Sequence, residues 1–511
     1  MNHWIVAPII LPAFTAAFLV LALRHDLRHQ RLVSFGATAL LLAIAVGLFV
    51  LAADGTTRPY LLGNWPTPFG IVLVLDRLSA LMLLLTAFLA LTVIVYASGG
   101  WDAKGRHFHT LFQFQLMGIS GAFLTGDVFN LFVFFEVMLI ASYGLMLHGG
   151  GPERLKAGFQ YIAINLVGST LFLFAVGLIY ATTGTLNMAD IAIKAQQIPA
   201  GDVALLRTGV LLLFLVFALK SALAPLHWWL PTTYGAAPAP VAALFAIMTK
   251  VGAYSIIRVH AMVFGHEAGE IANAAAPWII PAALLTLVIG AAGVVATRRL
   301  FDLIAFSVVW SMGSLLVAVG LFDARGMTAA LYYAVHSTVA AAGLFLLADM
   351  VMRHRGQWAD RLAAAPPVAH ATLLSGLFFV AAIAMAGLPP LSGFVGKLLI
   401  LDASRDAPLA VWVWGLILAT SLVVIIGFSR AGSVLFWKSE AVGGGVTPRE
   451  SAGVPATALL AVVALIGAMG LLTIFAGQAT SSFEATAGQI MDVHGYVGAV
   501  LGPDAVIALE R

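Results

Sequence analysis

Glu136, Lys220, Lys250 and Lys397 all stand inside apolar stretches of this 511-residue chain, and His336 is a fifth titratable group in the same setting. A charge at the centre of a bilayer costs about 2.5–3.5 kcal/mol on insertion scales, and more by simulation. Side chains kept at that cost mark ion pathways and proton relays by default. Carboxylate, amine and imidazole are also the groups that accept and release protons. Burial favours the neutral form of a lysine, and a nearby carboxylate favours the charged one. Glu136 is therefore the expected counter-ion of Lys220, a pair able to switch protonation when the carboxylate moves. A static buried salt bridge is the plain alternative, and such a pair is weak evidence for stability.

The elements that position these groups follow from composition. The chain is 61% hydrophobic and 10% charged, against about 25% charged in a soluble domain. Its length would suit three or four soluble domains, but apolar runs of the roughly 20 residues a membrane span needs recur from end to end. The expectation is an all-α, polytopic membrane protein with about fourteen spans. Their cores are placed at 4–23, 33–53, 71–98, 108–124, 128–147, 158–181, 205–226, 240–263, 278–297, 302–321, 328–350, 371–401, 409–429 and 455–476. Between spans four and five only Thr125-Gly126-Asp127 marks a turn. The N-terminal MNHWIVAPIILPAFTAAFLVLAL lacks a basic leader and reads as a retained first span.

Charge tests the count. Of the 26 lysines and arginines, fifteen fall in alternate loops: Arg24, Arg28, Arg31, Lys104, Arg106, Arg154, Lys156, Arg298, Arg299, Arg353, Arg355, Arg361, Arg430, Lys438 and Arg449. Eight are assigned to the other side: Arg58, Arg77, Lys194, Arg207, Arg258, Arg325, Arg405 and Arg511. Basic loops stay in the cytoplasm, so both termini are expected outside.

Two spans look broken. Span seven reads LVFALKSALAPLHWWLP, with Pro225 after Lys220; span twelve reads AMAGLPPLSGFVGKLLI, with Pro389-Pro390 before Lys397. Proline removes a donor and disrupts the helix, and in lipid the freed carbonyls need a protein or water partner. Broken spans in corresponding positions point to an ion site between repeats. Spans 4–8 and 9–13 thus read as two five-helix units, inverted because five is odd. The organisation expected is 1–107 for the first three spans, 108–263 and 278–437 for the two units, and 438–511 for a cytoplasmic loop, last span and outer tail. Residues 182–204 read as a polar outer connector with a surface helix at Met188–Gln197, and 438–454 as a glycine-rich loop.

His227 follows Pro225 and is expected near a cytoplasmic point of proton access. Asp76 and Asp349 lie near span ends and read as structural. His336 alone could be a hydrogen-bonded core residue; its company favours a relay. There is no cysteine, which excludes disulfides, cysteine-ligated clusters and attached c-type haem. No metal-ligand spacing, nucleophile motif or phosphate loop is present, so no cofactor, metal or nucleic acid is expected.

The stretches LFVFFEVMLIASYGL, ALKSALAPLHWWLPTTYGAAPAPVAALFAIMTKVGAYSIIRV and GLPPLSGFVGKLLIL resemble the antiporter-like subunits shared by respiratory complex I and the multisubunit Mrp cation/proton antiporters. GNWPTPFGIVLVLDRLSALM and YYAVHSTVAAAGLFLLADM resemble the D-type member of the Mrp group. The likeness implies fourteen spans, two inverted repeats and a polar midplane axis. It implies a Glu136–Lys220 pair and a path through Lys250, His336 and Lys397. It also implies a hetero-oligomer with other Mrp membrane subunits, a transporter subunit rather than an enzyme, exchanging Na+ or K+ for protons. The alternative is a proton-pumping arm subunit of complex I or a membrane-bound hydrogenase. Two departures stand out. Ala340-Ala341 replace a lysine that many relatives carry beyond the span-eleven histidine, and RRLFDLIAFS displaces Asp302 from the usual charged start of span ten.

Overall fold

In hydrocarbon the backbone must satisfy its own hydrogen bonds, so the apolar runs become helices. The computed structural model describes residues 3–368, 370–438 and 455–509. In chain order the elements are α1 (Ala7–Ala22), α2 (Leu27–Ala52), β1 (Arg58–Leu61), β2 (Val72–Leu75), α3 (Arg77–Ala97), α4 (Phe108–Leu124), α5 (Val128–Met146), α6 (Pro152–Thr183), α7 (Met188–Gln196), α8 (Val203–Lys220), α9 (Trp229–Ala236), α10 (Ala239–Phe245) and α11 (Met248–Ser255). They continue with α12 (Ala276–Ala296), α13 (Leu300–Val319), α14 (Ala324–Arg353), α15 (Ala371–Ala386), α16 (Ser392–Ala403), α17 (Ala410–Gly432), α18 (Ala456–Ile474), α19 (Ala476–Met491), α20 (Val493–Leu501) and α21 (Pro503–Leu509). Span eight is α10, α11 and a π-helical run over Ile256–Val263. Span thirteen likewise ends in a π-helical run, Ser433–Trp437. Among the described residues, eleven helices are long and apolar enough to cross a membrane, and Ala7–Ala22 and Ala371–Ala386 are shorter apolar helices. All fall on expected cores; the remaining core, 108–124, is α4.

The chain alternates between two ends. One carries the basic loops. There Arg31 grips Asp102 with two bonds of 2.6 and 2.7 Å, Arg299 pairs with Asp360 at 3.0 Å, and Arg353 with Asp349 at 2.8 Å. The other end carries an antiparallel hairpin, Arg58 opposite Leu75 and Leu61 opposite Val72. Both described chain ends lie at this hairpin end: His3 bonds Tyr60 at 3.0 Å and Thr67 donates to the Val500 carbonyl at 2.9 Å.

Several expectations are corrected. The third core begins at 77 rather than 71, because Asp76 and Ser79 form a reciprocal capping box that starts α3 there and leaves Val72–Leu75 to the hairpin. The connector helix is α7, within one residue of its expected bounds, but it is not a surface helix: Met188–Ile193 are buried where α20 packs across them. The tail after the last span is built of α19, α20 and α21. Arg258, counted with the basic residues of the other side, is 3% exposed inside the π-helical run and not at a solvated surface. The glycine-rich loop, from residue 439 to 454, lies outside the described residues, as do Arg449 and Arg511.

A residue-level repeat emerges in the packing. In the α4–α5 hairpin a Cβ on Gly118 would come 2.5 Å from the Met138 amide nitrogen, and one on Gly121 would strike the Phe134 ring. In the α12–α13 hairpin Gly290 meets the Trp310 amide at 2.5 Å and Gly293 the Phe306 ring, with the same spacings. α4 runs from the basic end toward the hairpin end, and α12 the opposite way.

Candidate functional site

Helix α8 stops at Lys220. Ala222 has a positive φ of 54° and Pro225 supplies no N–H, so Ser221–Trp228 cannot continue the spiral. The Lys220 ammonium donates to Asn165 Oδ1 at 2.6 Å, and Asn165 Nδ2 donates to the Tyr161 carbonyl at 2.7 Å. Glu136 is half-buried and accepts from the Ser169 hydroxyl. Asn165 and Ser169 sit one turn apart on α6. Glu136 lies within electrostatic reach of Lys220, but each has a neutral partner on α6 instead of the other. Sequence reading missed both partners; two polar residues four apart in an apolar span were the available signal.

Lys250 begins just after the interruption between α10 and α11 and is 1% exposed. Its amine has no hydrogen-bond partner among the described residues. It borders a cavity of ≈ 10 Å³, about what one water requires. His336 on α14 is buried within electrostatic reach of both Lys250 and Lys397. Its Nδ1 meets Ser392 Oγ at 2.9 Å, at the start of α16. Ala340 and Ala341 are fully buried and offer nothing ionisable beyond it.

Lys397 shows what a broken span supplies. The Ala386 carbonyl would accept from residue 390 in an unbroken helix, and Pro390 has no donor. Gly387, at φ +76°, turns the chain aside, and the Lys397 ammonium takes the freed carbonyl at 2.5 Å. Ser421 Oγ accepts a second bond at 2.8 Å, and the Trp310 ring centroid lies 3.9 Å away, a cation–π contact. Trp310 and Ser421 were not foreseen.

The geometry thus brings Glu136 within electrostatic reach of Lys220, and His336 within reach of Lys250 and Lys397. His227 lies in the span-seven break, half-buried beside exposed Pro225 and Trp228, with the eight residues of α9 between it and the basic end. At that end a cavity of ≈ 360 Å³ opens among Glu153, Arg154, Arg299 and Asp360. Asp302 lies close by against Gly235 of α9, where any Cβ would collide with its carboxylate. Outside the series, Asp76 bridges Arg258 at 2.6 and 2.9 Å, and Asp349 accepts from Tyr96, Trp101 and Arg353.

Residues 125–426 match the membrane family described as NADH:quinone oxidoreductase/Mrp antiporter. The chain is 42% identical to a probable K(+)/H(+) antiporter D-type component of Rhizobium meliloti, over 96% of each chain. It is 35% identical to the corresponding D-type component of the Na(+)/H(+) antiporter of Bacillus subtilis, over 86% of this chain and 88% of that one. A chain of the Mrp complex from Dietzia sp. superposes with a TM-score of 0.85 at 27% identity, over 98% of this chain and 100% of that one.

Proposed function

The chain belongs to the NADH:quinone oxidoreductase/Mrp antiporter family of membrane subunits, and on that premise we propose that it is the proton-translocating subunit of a multisubunit monovalent cation/proton antiporter. The observation that carries this reading is the set of buried amines at the breaks of their helices, with the His336 imidazole on the unbroken α14 within reach of two of them. Near-full-length likeness to D-type proteins named for K+/H+ and Na+/H+ exchange favours an antiporter over a respiratory-complex arm. Its partners are then the other membrane subunits of an Mrp-type complex. With the basic end in the cytoplasm, both described chain ends face outward.

Protons are taken up toward Lys220, pass Lys250 and His336, and reach Lys397. The Glu136–Lys220 pair is the switch. In this structure its members are separated and held by Ser169 and Asn165, an arrangement suited to the state in which Lys220 gives up its proton. Residues 108–263 and 278–437 act as two inverted copies of one unit; the paired glycine contacts and the opposed directions of α4 and α12 support this.

The test is cation-dependent proton flux in vesicles carrying the assembled complex. Glu136→Ala, Lys220→Ala and Lys397→Ala abolish flux and leave assembly intact. Asn165→Leu slows it, because Lys220 loses the acceptor it donates to. Wild-type flux in an assembled Lys220→Ala complex would falsify the relay and leave the chain a scaffold for chemistry in its partners.

A further inference from the structure

Lys250 also heads a second polar line, which runs to the hairpin end and which the relay does not use. Tyr254 and Arg258 follow it at successive turns. The Tyr254 hydroxyl donates to the Phe123 carbonyl at 2.6 Å and accepts from Arg258 Nε at 3.3 Å. Arg258 grips Asp76, the cap of α3, with bonds of 2.6 and 2.9 Å. The Tyr496 ring of α20 lies 5.7 Å from the guanidinium. Its hydroxyl is buried without a hydrogen-bond partner among the described residues. A Cβ on Gly126 would come 3.1 Å from that hydroxyl, which places Tyr496 beside Asp127. Asp127 is the half-exposed cap of α5, and burial pushes its carboxyl up to about 6.

Between Lys250 and this line the structure is closed. Apart from Lys250 and Tyr254, the one-water cavity is lined by apolar groups, among them Leu78, Met82, Ile257 and Leu331. Leu78 and Met82 lie in the first two turns of α3, so the cavity sits on the Asp76 side of the amine. A partnerless amine, a space of one water and a charged cluster beyond form the parts of a gated outlet. Hydrophobic constrictions gate by dewetting.

We propose that Tyr254, Arg258 and Asp76 form an outlet for protons from Lys250 to the hairpin side, closed by a gate of Leu78, Met82, Ile257 and Leu331. The proposal rests on the relay reading of Lys250. When the gate wets, the Lys250 ammonium passes a proton through water to the Asp76 carboxylate, leaving a neutral amine and a carboxylic acid. Tyr254 orients the water. Arg258 then favours the return of Asp76 to carboxylate, and the proton leaves past Tyr496 and Asp127 to the hairpin-side solution.

The test uses the whole complex in proteoliposomes with an imposed pH gradient and no exchangeable cation. Met82→Ser wets the gate, and the gradient collapses several-fold faster than in wild type. Adding Asp76→Asn returns the leak to the wild-type rate. Adding Tyr254→Phe does the same while keeping the ring, and it covers the case in which Asp76→Asn fails to assemble because Arg258 is left unpaired. A wild-type leak in assembled Met82→Ser overturns the proposal, and so does an undiminished leak in either assembled double variant. With no exchanged cation present, the readout is independent of antiport. Failure of the relay reading shows separately, as exchange retained in Lys220→Ala.

Discussion

Gly387→Ala probes the geometry around Lys397 most directly. Gly387 closes α15 at φ +76°, and a Cβ there would come 2.7 Å from Cδ, Cε and Nζ of Lys397. Two costs combine. A residue with a Cβ loses about 1–2 kcal/mol in the left-handed region. The methyl also drives the ammonium from the Ala386 carbonyl and Ser421 Oγ, and a hydrogen bond to a charged group is worth about 1.5–3 kcal/mol. Gly184 supplies the control. It ends α6 at φ +68° with nothing within 4 Å of its Cβ position, so Gly184→Ala carries the backbone cost alone. The difference between the two variants isolates the displaced lysine. Falling on proton transfer, it slows exchange roughly 10- to 150-fold, at 1.36 kcal/mol per decade. The assay is cation-dependent proton flux in vesicles, normalised to assembled complex, with Tm measured alongside. Equal flux in the two assembled variants would refute the claim that Lys397 acts from this position.

Two further outcomes follow from the packing. Gly118→Ala and Gly290→Ala each force a methyl onto a backbone amide at 2.5 Å, so both lower Tm by similar amounts, at about 1–3 kcal/mol of overpacking. Gly177→Ala, with open space around it, leaves Tm unchanged or higher. At the basic end, burial alone would raise Asp102, but the Arg31 and His109 contacts outweigh it and hold the carboxyl at about 2. An unfolded aspartate titrates near 3.9, so this group's stabilisation is complete above that value and is lost as pH falls toward about 2. Asp102→Asn is therefore less stable than wild type at neutral pH, and thermal unfolding across pH shows the gap closing in that acid window.

What the sequence makes legible is what a single segment determines. Hydrocarbon imposes length and apolarity on each span, so cores such as 409–429 fall on helices such as Ala410–Gly432. Asp127 ends one span and caps the next through the Asn130 amide at 2.7 Å, as its turn suggests. What stayed hidden depends on distant partners. The hairpin and the burial of α7 need α19 and α20, whose contacts, such as Gln489 with the Arg77 amide, join opposite parts of the chain. The candidate site divides the same way. Its ionisable residues are conspicuous because charge is rare in these spans. Their partners are not: Asn165, Ser169 and Ser421 are neutral, and the Ala386 carbonyl belongs to no side chain. The two units were legible from the broken spans, but their matched contacts were not: Gly121 and Phe134 recur as Gly293 and Phe306, and only the packing shows that these residues meet.

The three lysines are solvated unequally, and that bears on how a relay avoids short-circuiting the membrane. Lys220 has an amide oxygen. Lys397 has a freed carbonyl, a hydroxyl and an indole face. Lys250, between them, has no protein acceptor among the described residues and space for about one water. An isolated buried charge is strongly disfavoured unless paired or hydrated, so on the relay reading a proton can rest at either end but crosses the centre only while water is there with it. A relay with protein acceptors at its ends and none at its centre connects the two sides only while water bridges Lys250. The event that admits water at Lys250 then sets the coupling, and movement of Glu136 relative to Lys220 acts by sending charge toward that centre.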